Sequence, residues 1–253
     1  MKHLYLANNR LATDIIRWLA DRNERPIAVV VHPTERAKYR QEIIEASGVS
    51  PDCIFDGSRL RDPGVLAAIH ALGAEMSISV LFDYVLRPEF LSLFSRGCFN
   101  LHPALLPYNR GQYPNVWSIV DRTPAGVTLH RIDEGIDTGD IVGQCEVPVS
   151  LSDTGETLYR KLERAGFELF REVWPRLVSG EFSCKPQQVG IATNHRTKDV
   201  ERIDHIDLDR QYTGRELIDI LRARTFPPYR GAYFMDGDRR VYMRLVLEPE
   251  KGN

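Results

Sequence analysis

Three side chains in the stretch from Asn100 to Gly139 have the residue types that acyl transfer needs. Asn100 and His102 are two positions apart, so both side chains point to the same side of an extended strand. Asp137 follows on a tight turn that ends at Gly139. An amide can stabilise an oxyanion, an imidazole can carry a proton, and a carboxylate can orient the imidazole. We therefore predict that these three residues carry out an acyl transfer.

Alternating strand and helix patterns must position these residues. The predicted strands are Lys2–Ala7, Pro26–His32, Cys53–Phe55, Met76–Phe82, Phe99–Leu101, Val127–Ile132 and Ile141–Val149. The predicted helices lie around Ile15–Leu19 and over Thr34–Ser47, Pro63–Leu72, Pro88–Phe94, Asn115–Val120 and Thr154–Leu177. This alternation predicts an α/β fold with a Rossmann-like, mostly parallel sheet and helices on both faces.

The sequence pattern changes after about residue 180, where the predicted secondary-structure elements become short and polar. A short element over Ile203–Ile206 and a helix over Gly214–Arg224 precede two runs that flank Asp236-Gly237-Asp238. Asp-Gly between such runs is a strong β-hairpin signal. We expect a catalytic domain over residues 1–180 and a small C-terminal subdomain with a helix and a β-hairpin over residues 181–253.

Composition excludes several classes of protein. The 253 residues include 33 Lys and Arg against 35 Asp and Glu, and this net charge of −2 argues against a nucleic-acid scaffold. No apolar run approaches the ~18 residues of a membrane span, so we expect no membrane insertion. Polar residues at Asn8–Arg10 interrupt the apolar core that a signal peptide would need. We predict a cytoplasmic protein.

Some common chemical motifs are missing. The turn over Ala7–Leu11 has neither a GxGxxG pattern nor a P-loop, so dinucleotide and ATP chemistry have no support. The four cysteines include no CxxC pair, so we expect no metal. Cys98 lies at the entry to a buried strand and is interpreted as a small hydrophobe rather than a nucleophile. For His130, in the middle of a strand, we favour a structural hydrogen bond.

Four motif blocks occur in fixed order between residues 100 and 135: Asn-Leu-His-Pro, Leu-Leu-Pro-x-x-Arg-Gly, Ala-Gly-Val-Thr-Leu-His and Ile-Asp-x-Gly. Together they resemble the formyltransferase family that uses N10-formyltetrahydrofolate. The resemblance implies this folate as formyl donor. It covers the first ~180 residues as a fold and extends into the C-terminal segment.

The loop Pro107–Gly111, followed by Pro114, is similar to the loop of sugar N-formyltransferases. This resemblance implies an acceptor amine on a nucleoside-diphosphate-linked amino-deoxy sugar, of the dTDP-4-amino-4,6-dideoxyglucose type, for O-antigen or other surface glycan synthesis. Other acceptors stay open, namely methionyl-tRNA or a ribonucleotide amine. A formyltetrahydrofolate hydrolase, with water as the acceptor, is a further alternative.

The resemblance also implies roles for particular residues. Asn100 would donate to the developing oxyanion, His102 would carry the proton, and Asp137 would orient His102. Folate contacts would come from Tyr84, Val85, Leu86, Asp133, Glu134 and Gly135. Contacts to the sugar and diphosphate would come from Asn9, Arg10, Tyr108, Asn109 and Arg110. The C-terminal hairpin is similar to the part that relatives use to pair, which implies a homodimer.

Overall fold

The computed structural model describes residues 1–248 and residue 250, with strands and helices alternating through the first half. The strands are β1 (His3–Ala7), β2 (Ala28–Val31), β3 (Ile54–Asp56), β4 (Met76–Val80), β5 (Cys98–His102), β6 (Arg110–Gly111), β7 (Gly126–Arg131), β8 (Ile141–Glu146), β9 (Asn194–His195), β10 (Tyr233–Asp236) and β11 (Arg239–Tyr242). The α-helices are α1 (Arg10–Asp21), α2 (Arg40–Ser47), α3 (Pro63–Ala71), α4 (Pro88–Leu91), α5 (Pro114–Val120), α6 (Gly155–Ser179), α7 (Glu201–Asp204) and α8 (Gly214–Ala223).

The chain divides into two compact units, and the first contains the main sheet. This unit comprises residues 1–102, 127–145 and 166–187. Its seven strands follow the order β3-β2-β1-β4-β5-β7-β8. Strands β3, β2, β1, β4 and β5 pair in parallel, and β7 runs antiparallel to β5. This arrangement confirms the predicted mostly parallel, Rossmann-like α/β sheet.

Burial on both faces explains the continuous apolar strands. Every residue of β1, β2 and β4 is buried, as is usual for parallel strands that are covered on both sides. Leu4, Leu6 and Val30 from these strands form a core cluster with Phe90 and Cys98. Strand β5 ends at His102, and Pro103 follows it without a backbone N–H to continue the ladder.

The second unit comprises residues 103–126, 146–165 and 188–253. In it α5 packs against α8, and a small cluster of Ile206, Ile220 and Ala232 forms an apolar centre. Strands β10 and β11 form the predicted antiparallel hairpin, which turns at Gly237. The predicted boundary near residue 180 stays a prediction, because α6 contributes residues to both units.

Two predicted elements need correction. The helix predicted from Thr34 begins only at Arg40, because Asn8 Oδ1 accepts the backbone N–H of Lys38 at 2.9 Å and Tyr39 has a positive φ of 56°. These contacts hold residues 34–39 in turns. The segment around Ile203 forms the short helix α7 before the chain becomes extended near Ile206.

No helix among the described residues combines the length and the apolar content that crossing a bilayer requires.

Candidate active site

Strand β5 and its antiparallel neighbour β7 bring the predicted catalytic residues together. Asn100 lies opposite His130 in the register of the two strands. His102, two residues further along β5, is buried, and Asn100 is partly buried. The period-2 argument from sequence therefore holds here, since both residues belong to one regular strand.

Asp137 joins this pair through both of its carboxylate oxygens. Its Oδ1 lies 3.3 Å from Asn100 Nδ2 and 3.4 Å from His130 Nε2. Its Oδ2 lies 3.6 Å from His102 Nδ1, an ion-pair distance that is longer than a direct hydrogen bond. One carboxylate thus faces the amide and both imidazoles. The sequence predicted the triad of Asn100, His102 and Asp137 but did not place His130 beside it.

A tight turn presents Asp137, whose φ is positive at 52°. Asp133 Oδ1 closes this turn by accepting from Gly135 N at 3.1 Å and Thr138 Oγ1 at 2.6 Å. A Cβ atom on Gly139 would lie 2.0 Å from the carbonyl oxygen of Arg131, so only glycine fits there. The geometry of the turn therefore explains why an aspartate stands at position 133 and a glycine at position 139.

Gln187 holds the same turn from a distant part of the sequence. Its Nε2 donates to the carbonyl oxygens of Asp137 at 2.9 Å and Gly139 at 2.7 Å. Sequence analysis missed this residue because 50 positions separate it from Asp137 and no motif surrounds it.

His130 makes the structural hydrogen bond that its position in the strand suggested. Its Nδ1 lies 2.7 Å from the carbonyl oxygen of Arg131. Its other nitrogen, Nε2, lies 3.3 Å from Asn100 Nδ2, a contact that the sequence did not predict.

Cys98 is the inert thiol that the sequence suggested. It is buried at the start of β5, and its Sγ lies 3.9 Å from the carbonyl oxygen of Leu91. Burial raises the pKa of the thiol to about 12, so the sulfur stays protonated at neutral pH. Burial, the contact with the carbonyl oxygen of Leu91 and the raised pKa all favour the interpretation of Cys98 as a core residue rather than a nucleophile.

The first predicted folate segment follows β4. Tyr84 lies among the rings of His32, with ring centroids 4.8 Å apart, and Phe82, at 5.5 Å. Leu86 is buried in the main core cluster, whereas Val85 exposes 58% of its surface. A ligand can therefore reach the Val85 side chain, while a contact with Leu86 would have to use its backbone.

The second predicted folate segment is the turn that carries Asp137. Asp133, Glu134 and Gly135 are exposed, and the adjacent Ile136 exposes 58% of its surface. Asp133 already uses its carboxylate within the turn. The exposed apolar side chains of Val85 and Ile136 can pack against the faces of a flat heteroaromatic ring, while the polar edge of such a ring needs hydrogen-bonding groups.

Two predicted substrate residues lie at the start of α1. Asn9 caps this helix by accepting the backbone N–H of Ala12 at 3.0 Å, and it is buried. Arg10 is exposed, and its Nε lies 3.7 Å from Asp14 Oδ2. The structure therefore gives Asn9 a capping role, while the guanidinium of Arg10 lies at the surface.

The other predicted substrate residues lie in the loop of the second unit. Asn109 is fully buried, and its Nδ2 donates to Ser118 Oγ at 2.9 Å and Thr123 Oγ1 at 2.8 Å. Arg110 is buried in β6, and Tyr108 is partly buried. Asn109 holds the loop in place, so we do not carry it into the proposed substrate contacts.

Within the described residues, no group of three or more His, Cys, Asp or Glu side chains could hold a metal ion.

Comparison with known proteins identifies the family. Residues 7–174 match the family model described as "Formyl transferase", and residues 199–249 match the model described as "N-formyltransferase dimerization C-terminal domain". The chain therefore belongs to the formyl transferase family.

Individual relatives agree with this assignment. A dTDP-4-amino-4,6-dideoxyglucose formyltransferase of Mycobacterium tuberculosis is 37% identical over 155 residues, which are 61% of this chain and 66% of the relative. Curated methionyl-tRNA formyltransferases match as well. The match thus spans slightly less than two thirds of the mycobacterial relative.

Solved structures share the fold over a longer span. A 4-N formyltransferase from Francisella tularensis is 27% identical and has a TM-score of 0.84, covering 98% of both chains. A formyltransferase from Anoxybacillus kamchatkensis was solved with UDP-4,6-dideoxy-4-formamido-L-AltNAc and tetrahydrofolate. It is 28% identical, with a TM-score of 0.58, and covers 80% of this chain and 89% of its own.

Proposed function

We propose that this protein transfers a formyl group from N10-formyltetrahydrofolate to the amine of a nucleoside-diphosphate-linked amino-deoxy sugar. The observation that carries the proposal is the contact of one carboxylate, Asp137, with Asn100, His130 and His102. Family membership and relatives named for sugar formylation support it. The favoured acceptor is of the dTDP-4-amino-4,6-dideoxyglucose type, and the product would serve O-antigen or other surface glycan synthesis.

The folate supplies the formyl group, and the protein's own residues manage charge and protons. The amine must be neutral when it attacks the formyl carbon, so a group must accept its proton. His102 suits this task because imidazole can accept the proton of the amine and then donate it toward N10 of the folate, as the bond between N10 and the formyl carbon breaks and tetrahydrofolate leaves. Asp137 faces His102 Nδ1 and favours the protonated ring after the transfer.

Asn100 is proposed to stabilise the oxyanion that develops on the formyl oxygen. Removing one such donor costs ~3 kcal/mol of barrier in enzymes where it has been tested. The folate would contact the segment Tyr84–Leu86, through the backbone of Val85 and Leu86, and the turn over Asp133, Glu134 and Gly135. Arg10 is the proposed contact to the diphosphate, since its exposed guanidinium matches phosphate oxygens. Contacts of Tyr108 and Arg110 with the acceptor stay predictions from the resemblance.

The C-terminal segment is proposed to form a homodimer. The match of residues 199–249 to a dimerization domain supports this, and residues 233–242 of that segment form the hairpin. A cytoplasmic location stays a prediction.

The proposal is tested by incubating the protein with N10-formyltetrahydrofolate and a panel of nucleotide-linked amino sugars. We expect one member of the panel to gain the mass of one formyl group. Methionyl-tRNA and a ribonucleotide amine are included as alternative acceptors. A reaction without any acceptor, followed for formate release, detects a hydrolase. Formyl transfer only to methionyl-tRNA, or equal formate release with and without the sugars, would contradict the proposal.

The variant His102→Asn tests the role of the proton carrier. It keeps a polar side chain of similar reach but cannot accept a proton at neutral pH. We expect a loss of about 100-fold or more in kcat, because general base catalysis contributes about 10² to 10⁴ in rate. Near-normal turnover by the folded variant would remove His102 from the mechanism.

A further inference from the structure

We propose that His130 is a positioning residue that turns the amino group of Asn100 toward the reaction site and holds it there. This inference rests on the proposed function, because it concerns the donor that faces the oxyanion. The carrying observation is a triangle of three atoms: Asn100 Nδ2, His130 Nε2 and Asp137 Oδ1, separated by 3.3, 3.3 and 3.4 Å.

The hydrogen bond of His130 to the backbone determines its tautomer. Nδ1 lies 2.7 Å from the carbonyl oxygen of Arg131, and a carbonyl oxygen can only accept. In the neutral ring the proton is therefore on Nδ1 and Nε2 presents a lone pair. A protonated ring would instead donate from Nε2 to Asp137 Oδ1, 3.4 Å away, so the inference requires the neutral ring. His130 is buried, and it lies directly across the strand pair from Asn100, so the ring has little freedom to turn away.

This lone pair selects one of the two orientations of the Asn100 amide. Nε2 of His130 and Oδ1 of Asp137 are both acceptors, so the group of Asn100 beside them must be the amino group. The opposite orientation would place the carbonyl oxygen of Asn100 against a lone pair and a carboxylate oxygen, at about 3.3 Å from each. Such a contact is repulsive, so the amide is held in one orientation.

The shape of the triangle leaves one N–H of Asn100 for another acceptor. The three distances are nearly equal, so the angle between His130 Nε2 and Asp137 Oδ1, seen from Asn100 Nδ2, is about 60°. The two N–H bonds of a planar amide diverge by about 120°. At such a corner a single N–H can point between both acceptors, which leaves the second N–H, about 120° away, for another acceptor. In the proposed reaction this second N–H is the one that meets the oxyanion.

Two variants of similar size separate the lone pair from the backbone contact. In His130→Asn, the amide nitrogen takes the place of Nδ1 and keeps the donation to the carbonyl of Arg131, but nothing occupies the place of Nε2. In His130→Gln, the longer side chain reaches the place of Nε2 and its carbonyl oxygen can accept from Asn100. The first variant removes the selecting lone pair, and the second restores an acceptor.

Kinetics of these variants with the full-length protein give the first test. We expect His130→Asn to lower kcat by about 10- to 100-fold, because a small displacement of a group that faces the reacting atoms costs up to about 10² in rate, with both KM values nearly unchanged. We expect His130→Gln to recover most of the loss. Normal kcat in His130→Asn, or equal losses in both variants at unchanged melting temperature, would overturn the inference.

A double variant tests whether His130 acts through Asn100. If it does, His130→Asn adds little further loss in kcat when Asn100 is already alanine, because the two changes are then strongly non-additive. A full multiplicative loss in the double variant would overturn the inference. Should Asn100→Ala itself leave kcat unchanged, the proposed oxyanion role fails, and this inference fails with it.

Nitrogen-15 NMR of the histidine rings tests the tautomer without any substrate. His130 is assigned by the signals that disappear in His130→Asn. At neutral pH we expect a protonated Nδ1 and an unprotonated Nε2. A protonated Nε2 would overturn the inference. Because this readout does not depend on turnover, it tests the tautomer of His130 separately from the proposed function, even if no acceptor is formylated.

Discussion

Strand β5 and the loop that follows it each contain an asparagine with a different environment. Asn100, in β5, is partly buried, and its amide contacts His130 and Asp137 at 3.3 Å. Asn109, in the loop, is fully buried, and its amide donates to Ser118 and Thr123 at 2.9 and 2.8 Å. Sequence analysis assigned both residues to the site.

The difference between these regions gives a physical criterion for separating an amide that holds the fold from one proposed to act in catalysis. In the loop, both partners of the Asn109 amino group are protein hydroxyls at ideal distance, so it gains nothing by turning to a ligand. In β5, the contacts are long and converge on one side of the amino group. A polar group with long, one-sided contacts is a better candidate for chemistry than a saturated one.

Among the variants that test this comparison, Asn100→Ala has the largest expected effect. We expect kcat to fall by about 10²- to 10³-fold, because a preorganised donor to the oxyanion is lost. The melting temperature should change little, since the lost contacts are long. Steady-state kinetics and a thermal melt measure the two quantities. A large drop in melting temperature with normal kcat would show that Asn100 stabilises the fold and does not act in catalysis.

We expect the opposite pattern for Asn109→Ala. The change leaves the hydroxyls of Ser118 and Thr123 without their donor and puts alanine at a φ of 55°, so unfolding should become easier by about 2 kcal/mol. In a chain of this size this lowers the melting temperature by about 4–8 °C.

Asn109→Gly is the matched control, because glycine accepts the positive φ and loses only the hydrogen bonds. The difference between the two variants measures the backbone cost. A rise in KM for the sugar nucleotide at unchanged melting temperature would instead support the substrate contact first predicted from sequence.

An intermediate effect is expected for Gln187→Ala. Gln187 holds the carbonyl oxygens of Asp137 and Gly139, so its loss loosens the turn and misplaces the carboxylate. We expect kcat to fall about tenfold, since small displacements of catalytic groups carry rate losses of this order or more. Gln187→Glu is the matched control, because it keeps the size but replaces the donating amide with a carboxylate. Unchanged kcat in both variants would show that the turn is rigid without Gln187.

The smallest effect concerns pH and a histidine outside the site. Burial, followed by the nearby N-terminal ammonium, lowers the pKa of His3 from 6.5 to about 4. The unfolded chain therefore binds this proton first, and the stability that depends on neutral His3 is present above pH 6.5 and lost as the pH falls toward 4. Between pH 7 and 5.5 the expected loss is about 1 kcal/mol.

The variant His3→Phe should remove this part of the acid sensitivity, because a ring that cannot titrate then packs near Trp174. Urea unfolding at several pH values measures the effect. Identical pH slopes in the variant and the parent protein would assign the sensitivity to other groups.

The local sequence determined much of this protein. Alternating apolar runs and helical spacing predicted the α/β sheet, because burial on both faces imposes continuous apolar strands such as Val29–Val31. The two-residue spacing of Asn100 and His102 placed them on one side of β5, because the side-chain period of a strand is two. Asp-Gly-Asp predicted the C-terminal hairpin for a similar local reason.

The tertiary structure determines which polar side chains are in contact with one another. The antiparallel register of β5 and β7 places His130 beside Asn100, and a side chain 50 positions away holds the turn of Asp137. The tertiary structure also places Ser118 and Thr123 where their hydroxyls accept from the amide of Asn109, although the sequence around Asn109 resembles a substrate loop. Sequence spacing specifies the direction of a side chain along its own element. Partners across elements depend on strand register and packing, which no local pattern encodes.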